Sequence, residues 1–179
     1  MRTLRTLTSV AATAAALAIA APTALAQTNQ VGDATANPTT NVCAAMIDCT
    51  YINFHHGKPT DVVRHGGTVV SWTVNAGSSG GQVQLRILRP TSNHQFKVVR
   101  SSAVETISAP GLNLFITNLS VKRGDVLALS NDTSGIYMAT VPAGTCVRFF
   151  DAPLNDGSAG KPNRVAVQLH LQLSADVQS

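Results

Sequence analysis

"RVAVQLHLQLS", running from Arg164 to Ser174, decides the fold class. Val165, Val167, Leu169, Leu171 and Leu173 take every second position, with Gln168, His170 and Gln172 between them. A period of two marks a strand with one apolar and one polar face, because successive side chains leave a pleated backbone on opposite sides. The same period recurs outward from this stretch. In "GTVVSWTVNA", 67–76, Val70, Trp72 and Val74 share a face, and in "QVQLRIL", 82–88, Val83, Leu85 and Ile87 do. In "GLNLFITN", 111–118, Leu112, Leu114 and Ile116 alternate with Asn113, Phe115 and Thr117. Turn formers such as Gly66-Gly67, "RPTSN" and "VPAG" punctuate these runs, and no apolar stripe at helical spacing follows residue 26. The pattern predicts an all-β, antiparallel β-sandwich of jelly-roll type, with an Ig-like sandwich as the alternative, each sheet having one core face and one solvated face.

Residues 1–26 read as a secretory signal peptide: Arg2 and Arg5 precede an Ala-rich apolar stretch, and Ala24-Leu25-Ala26 supplies the small-x-small cleavage pattern. Cleavage would leave Gln27 as the first residue of a secreted, extracellular chain without a membrane span. The segment 27–42 is polar, small and aperiodic and reads as a flexible leader, and 43–179 as a single β-sandwich domain. Removing Arg2 and Arg5 takes Lys and Arg from 13 to 11 against 9 Asp and Glu, a net charge of +2. The remaining basic residues form no run, which excludes nucleic acid as a partner, since phosphate binding needs a stripe of cations.

"CTYINF" from Cys49, "GGTVVSWTV" from Gly66, "VQLRILRP" from Val83 and "LSVKRGDVLAL" from Leu119 occur in the same order in a loose group of secreted actinobacterial proteins. Over residues 49–130 the chain resembles these β-sandwich proteins, most of which have no assigned activity. The resemblance implies a bacterial, secreted all-β domain and transfers no catalytic residue. The loop "FFDAPLNDGSAGKPNR", 149–164, has no counterpart in it.

Arg123-Gly124-Asp125 matches a cell-adhesion tripeptide, but strand-like Leu119, Val121, Val126 and Leu129 flank it. Gly124 gives the backbone freedom of a corner and Asp125 can bond nearby backbone, so the tripeptide reads as a turn. "GSSGG", 77–81, fits a nucleophile-elbow pattern around Ser79, yet a strand follows it where that motif needs a helix.

Two sets of residues are candidate metal ligands. His55 and His65 with Asp61 could hold zinc; His56, adjacent to His55, should point to the opposite face of a strand. Asp151, Asn155 and Asp156 offer oxygens to calcium from a Gly/Pro-rich loop. Three thiols cannot all pair within one chain: Cys43 and Cys49 are the favoured disulfide, with a bridge from Cys146 to either of them as the alternative. Glu105 is the only Glu, so paired-carboxylate hydrolysis has little material. Phe115, flanked by Asn113 and Thr117, and Tyr137 fall on the more polar phase, where an aromatic ring beside amides and hydroxyls suits sugar binding. The reading is a non-enzymatic β-sandwich that binds a glycan, cell surface or protein and needs no cofactor. A metal-dependent enzyme built on His55/His56/His65, or a structural envelope component, is the alternative.

Overall fold

The computed structural model describes residues 26–40, 49–78, 80–131, 135–150 and 152–179. Residues 1–25 of the signal segment, Cys43, Ser79 and Asp151 lie outside these residues. Within them the chain is an antiparallel β-sandwich, and its one helical element is a 3-10 turn at Ser92–His94. No helix among the described residues is long and apolar enough to cross a membrane.

The smaller sheet has four strands: β1 (Thr28–Asp33), β15 (Leu173–Gln178), β4 (Gly67–Ala76) and β8 (Gly111–Val121), side by side in that order. The larger follows the path β12 (Ala159–Gly160), β6 (Phe96–Ser101), β5 (Gln82–Pro90), β9 (Val126–Asn131), β2 (Cys49–His55), β11 (Thr145–Phe150) and β13 (Arg164–Val167). Short strands β3 (Lys58–Pro59) and β7 (Glu105–Thr106) flank β2 and β5, and β10 (Met138–Thr140) pairs with β14 (Leu169–Leu171) as a separate ribbon. A larger sheet of this width exceeds the three to five strands of an immunoglobulin-type sheet, so the Ig-like alternative does not describe it.

The core lies between the sheets. Val69, Trp72 and Val74 of β4 and Leu173, Ala175 and Val177 of β15 meet Tyr51, Leu85, Ile87, Leu127, Leu129 and Val147 of the larger sheet. The expectation of one solvated face per sheet fails for the larger one. A second apolar cluster, Ile52, Phe54, Phe96, Val98, Ala128 and Phe150, fills its outer face, so β2 is buried from Cys49 to Phe54 and β9 along its length. The loop after β11 covers that face. Leu154 packs into the cluster, Gly157 N–H donates to the Val98 carbonyl (3.1 Å), and Asp156 pairs with Arg86 (2.7 Å).

The segment read as a flexible leader is a strand in its first part. β1 pairs with β15 over six residues, from Thr28 opposite Gln178 to Asp33 opposite Leu173. The 164–174 run is divided in turn. Gln168, at φ 58°, breaks it after β13, so Val165 and Val167 stay exposed in the larger sheet while Leu171 and Leu173 are buried. One alternating sequence thus serves three sheets.

Candidate functional site

Segment 60–66, between β3 and β4, builds one wall of a surface concavity. Thr60 to Val63 lies against the start of β9 through an isolated antiparallel bridge at Val62–Val126: Leu127 N–H donates to the Asp61 carbonyl (2.9 Å) and Val63 N–H to the Asp125 carbonyl (2.8 Å). Gly124 N–H returns a bond to the Val63 carbonyl (2.8 Å), tying this segment to the 122–125 corner. Gly66 packs on that corner too, and a Cβ there would stand 3.3 Å from the Val121 carbonyl oxygen. Pro59, Thr60, Arg64, His65, Arg123 and Gly124 line a cleft of about 570 Å³ between the two segments. A second cleft of about 410 Å³ opens on the other side of Arg64 and His65, toward Asn29 and Gln30 of β1. Among the described residues no Asp or Glu lines either cleft, while Arg64, His65 and Arg123 are all exposed there. The platform is rigid and its charge is one-sided.

Arg123-Gly124-Asp125 is a corner. Gly124 sits at φ 90°, where a side chain is disfavoured, and the Asp125 N–H closes the turn onto the Lys122 carbonyl at 3.0 Å. The Asp125 side chain is 1% exposed. Its carboxylate accepts from Lys122 N–H (2.8 Å) and from Arg89 at two nitrogens, Nε (2.8 Å) and Nη2 (2.9 Å). A receptor has no acid to reach.

Beneath the platform lies a buried polar network. Asn53 Nδ2 donates to Asp61 Oδ2 (2.8 Å) and to the Leu171 carbonyl (2.9 Å), while Leu171 N–H donates to Asn53 Oδ1 (2.7 Å). The amide therefore acts as a backbone surrogate that joins β2 to β14. Burial pushes the Asp61 carboxyl above its ordinary range, against the opposing hydrogen bond from Asn53 and the nearby charge of His170.

The proposed ligands are distributed differently from the sequence expectation. His56 adopts φ 47° in the turn after β2, so its ring meets that of His55 at a centroid distance of 4.1 Å instead of facing away. His55 Nδ1 bonds Thr145 Oγ1 (3.1 Å), His65 lines the clefts, and Asp61 is buried. Among the described residues, no three His, Cys, Asp or Glu side chains come together as a metal requires. Asp156 is engaged by Arg86, and the Asn155 carbonyl accepts from the Ser158 N–H (3.0 Å). Cys49 is buried at the start of β2, and Cys146 carries a free thiol.

The expected sugar-stacking face is turned inward. Asn113 is buried, its amide donating to the carbonyls of Ala109 and Gly111 (both 2.9 Å). Phe115 packs on Trp72 with ring centroids 4.6 Å apart, Thr117 is half-buried, and Tyr137 is fully buried. The exposed residues are their neighbours Leu112, Leu114 and Ile116. On β4 an irregularity between Val69 and Ser71 also puts Val69, not Val70, in phase with Trp72 in the core.

Sequence reasoning missed the cationic cleft. Its signals were two basic dipeptides, Arg64-His65 beside a Gly pair and Lys122-Arg123 at a corner, and only the fold brings them together.

Neither a family model nor a curated protein matches the chain. Among solved structures it is similar to the cysteine protease and lectin-like domains of Cwp84, a surface layer associated protein of Clostridium difficile. The identity is 12% and the TM-score 0.49, over 74% of this chain and 32% of that one. The chain therefore spans about a third of the length of that structure.

Proposed function

We infer that this is a secreted binding protein that holds an anionic polymer, a carboxylate- or phosphate-bearing glycan of an extracellular surface, in the clefts around Arg64 and His65. The observation that carries the reading is the convergence of Arg64, His65 and Arg123 on a hydrogen-bonded platform without an acidic neighbour in the lining. A guanidinium grips carboxylate and phosphate oxygens through paired N–H donors, and the Thr60 hydroxyl, which donates to Asp61 Oδ1 (3.0 Å), keeps a lone pair to accept from a sugar hydroxyl. A platform tied by backbone bonds loses little freedom on binding. Two exposed cations are too few for a nucleic-acid footprint and fit a flexible polymer of spaced charges.

Titration calorimetry with a uronic-acid glycan, a polyol-phosphate polymer and a neutral glucan tests this. The charged polymers should bind and weaken with salt, and the neutral one should not. Arg64→Ala and Arg123→Ala should each lower affinity roughly 5–20-fold with the fold intact, as loss of a charge-assisted contact implies. Equal binding of the neutral glucan, or binding indifferent to both substitutions, would refute the reading.

A further inference from the structure

Among the described residues β8 is an edge strand. It pairs with β4 on one side and ends the order of the smaller sheet. Its outward side chains Leu112, Leu114 and Ile116 are 68%, 62% and 76% exposed, three successive aliphatic residues along one strand. Exposed edges are normally protected by charge, proline or brevity. The other edges show such protection: β12 has two residues, β13 carries Arg164, and β1 carries Asp33. β8 has eleven residues and no charged one, and the charge-free sequence extends from Thr106 to Val121.

We propose that a second copy of this chain docks on β8, the two strands pairing antiparallel about a two-fold axis at Leu114. The charge pattern selects this occupant. In an antiparallel self-pairing centred at one residue, a charge at the axis faces its own copy, and like charges directly opposite destabilise a ladder. A strand without charges avoids this at every register. With Leu114 at the axis, Leu112 of each copy stands opposite Ile116 of the other, and the two exposed rows become cross-strand neighbours on one face of the joined sheet. Pairing spans Gly111 to Thr117 and stops at Pro110, which has no N–H to donate. The two small sheets become one continuous eight-stranded sheet. Each Arg123 lies nine residues from the axis, so the clefts would stand about 60 Å apart at about 3.3 Å per residue.

Sedimentation equilibrium of the mature chain, residues 27–179, tests the proposal. A concentration-dependent dimer is expected, becoming a monomer in Leu114→Lys with unchanged circular dichroism and unfolding temperature. Leu112→Glu and Ile116→Lys should each weaken the dimer at least tenfold. The double variant should recover most of that loss, because the two new charges face each other only across the two-fold axis. A parent chain that stays monomeric at high micromolar concentration overturns the proposal. So does a dimer that survives Leu114→Lys, or a double variant no better than the worse single one.

Discussion

Arg89 grips Asp125 with two parallel bonds, Nε to Oδ1 at 2.8 Å and Nη2 to Oδ2 at 2.9 Å, across 36 residues of sequence. Asp125 is the buried partner, while the Arg89 side chain keeps 40% of its exposure. The fork fixes the carboxylate that in turn fixes Lys122 and the corner at one end of the main cleft.

Asp125→Asn should therefore destabilise the fold by about 2–3 kcal/mol in urea unfolding, less than a fully buried pair because Arg89 remains half in water. Gly124→Ala should cost about 1–2 kcal/mol through its backbone angle alone, since the new Cβ meets no atom within 4 Å. Arg123→Lys should leave stability unchanged. A silent Asp125→Asn would show that the corner does not depend on the fork.

Asn53→Leu keeps most of the side-chain volume but removes three hydrogen bonds from the centre of β2, two of them to the backbone of Leu171. Both Leu171 groups then lie unsatisfied in a buried site. A loss of about 3–4 kcal/mol is expected by denaturant unfolding, with faster amide exchange along β14. Protection of the Leu171 amide equal to the parent would contradict the surrogate-backbone role.

Burial raises the Asp61 carboxyl, so the native protein keeps this proton at pH values where the unfolded chain has released it. The site's contribution to stability is complete below the ordinary carboxylate range and declines as pH rises through and above it. Asp33 works in the opposite sense. The Thr35 hydroxyl and amide hold its carboxyl below the ordinary range, so its contribution is lost as pH falls. Unfolding temperatures measured from about pH 3 to pH 8 should form a dome. Asp61→Asn, which keeps an acceptor for Asn53, should flatten the alkaline side only. An unchanged slope in that variant would remove Asp61 as its source.

Thiol counting in denaturant without reductant should find one reactive cysteine per mature chain, and peptide mapping should place it at Cys146. The Cys43–Cys49 bridge that this implies would close a short loop ahead of β2, worth roughly 2–3 kcal/mol by loop entropy. Three reactive thiols, or a bridged peptide containing Cys146, would exclude that pairing.

The strands were legible wherever alternation and burial agree, as in Val83, Leu85 and Ile87. The corner at Arg123-Gly124-Asp125 was legible because its chemistry is local, with Asp125 bonding an amide three residues away. On β8 the same logic gave the wrong face. Alternation reveals two faces but not which is inward, and Leu112, Leu114 and Ile116 look more like core than Asn113 does. Asn113 faces inward because its amide holds the Ala109–Gly111 turn, a use of polarity that hydropathy does not register. The Arg89 fork and the meeting of Arg64 with Arg123 join residues far apart in sequence, so no local window contains them.

The placement of β15 has a consequence for how the chain is made. It lies between β1 and β4, and β1 has no other strand neighbour among the described residues. Synthesis runs from the N-terminus, so the first strand waits, unpaired, until residues 173–178 have been added. A nascent or prematurely stopped chain leaves the backbone edge of β4 unpaired, and without Leu173, Ala175 and Val177 the core face of Val69, Trp72 and Val74 is incompletely covered. Closure of the smaller sheet therefore comes last, and β15 sets the moment at which both of its neighbours are satisfied.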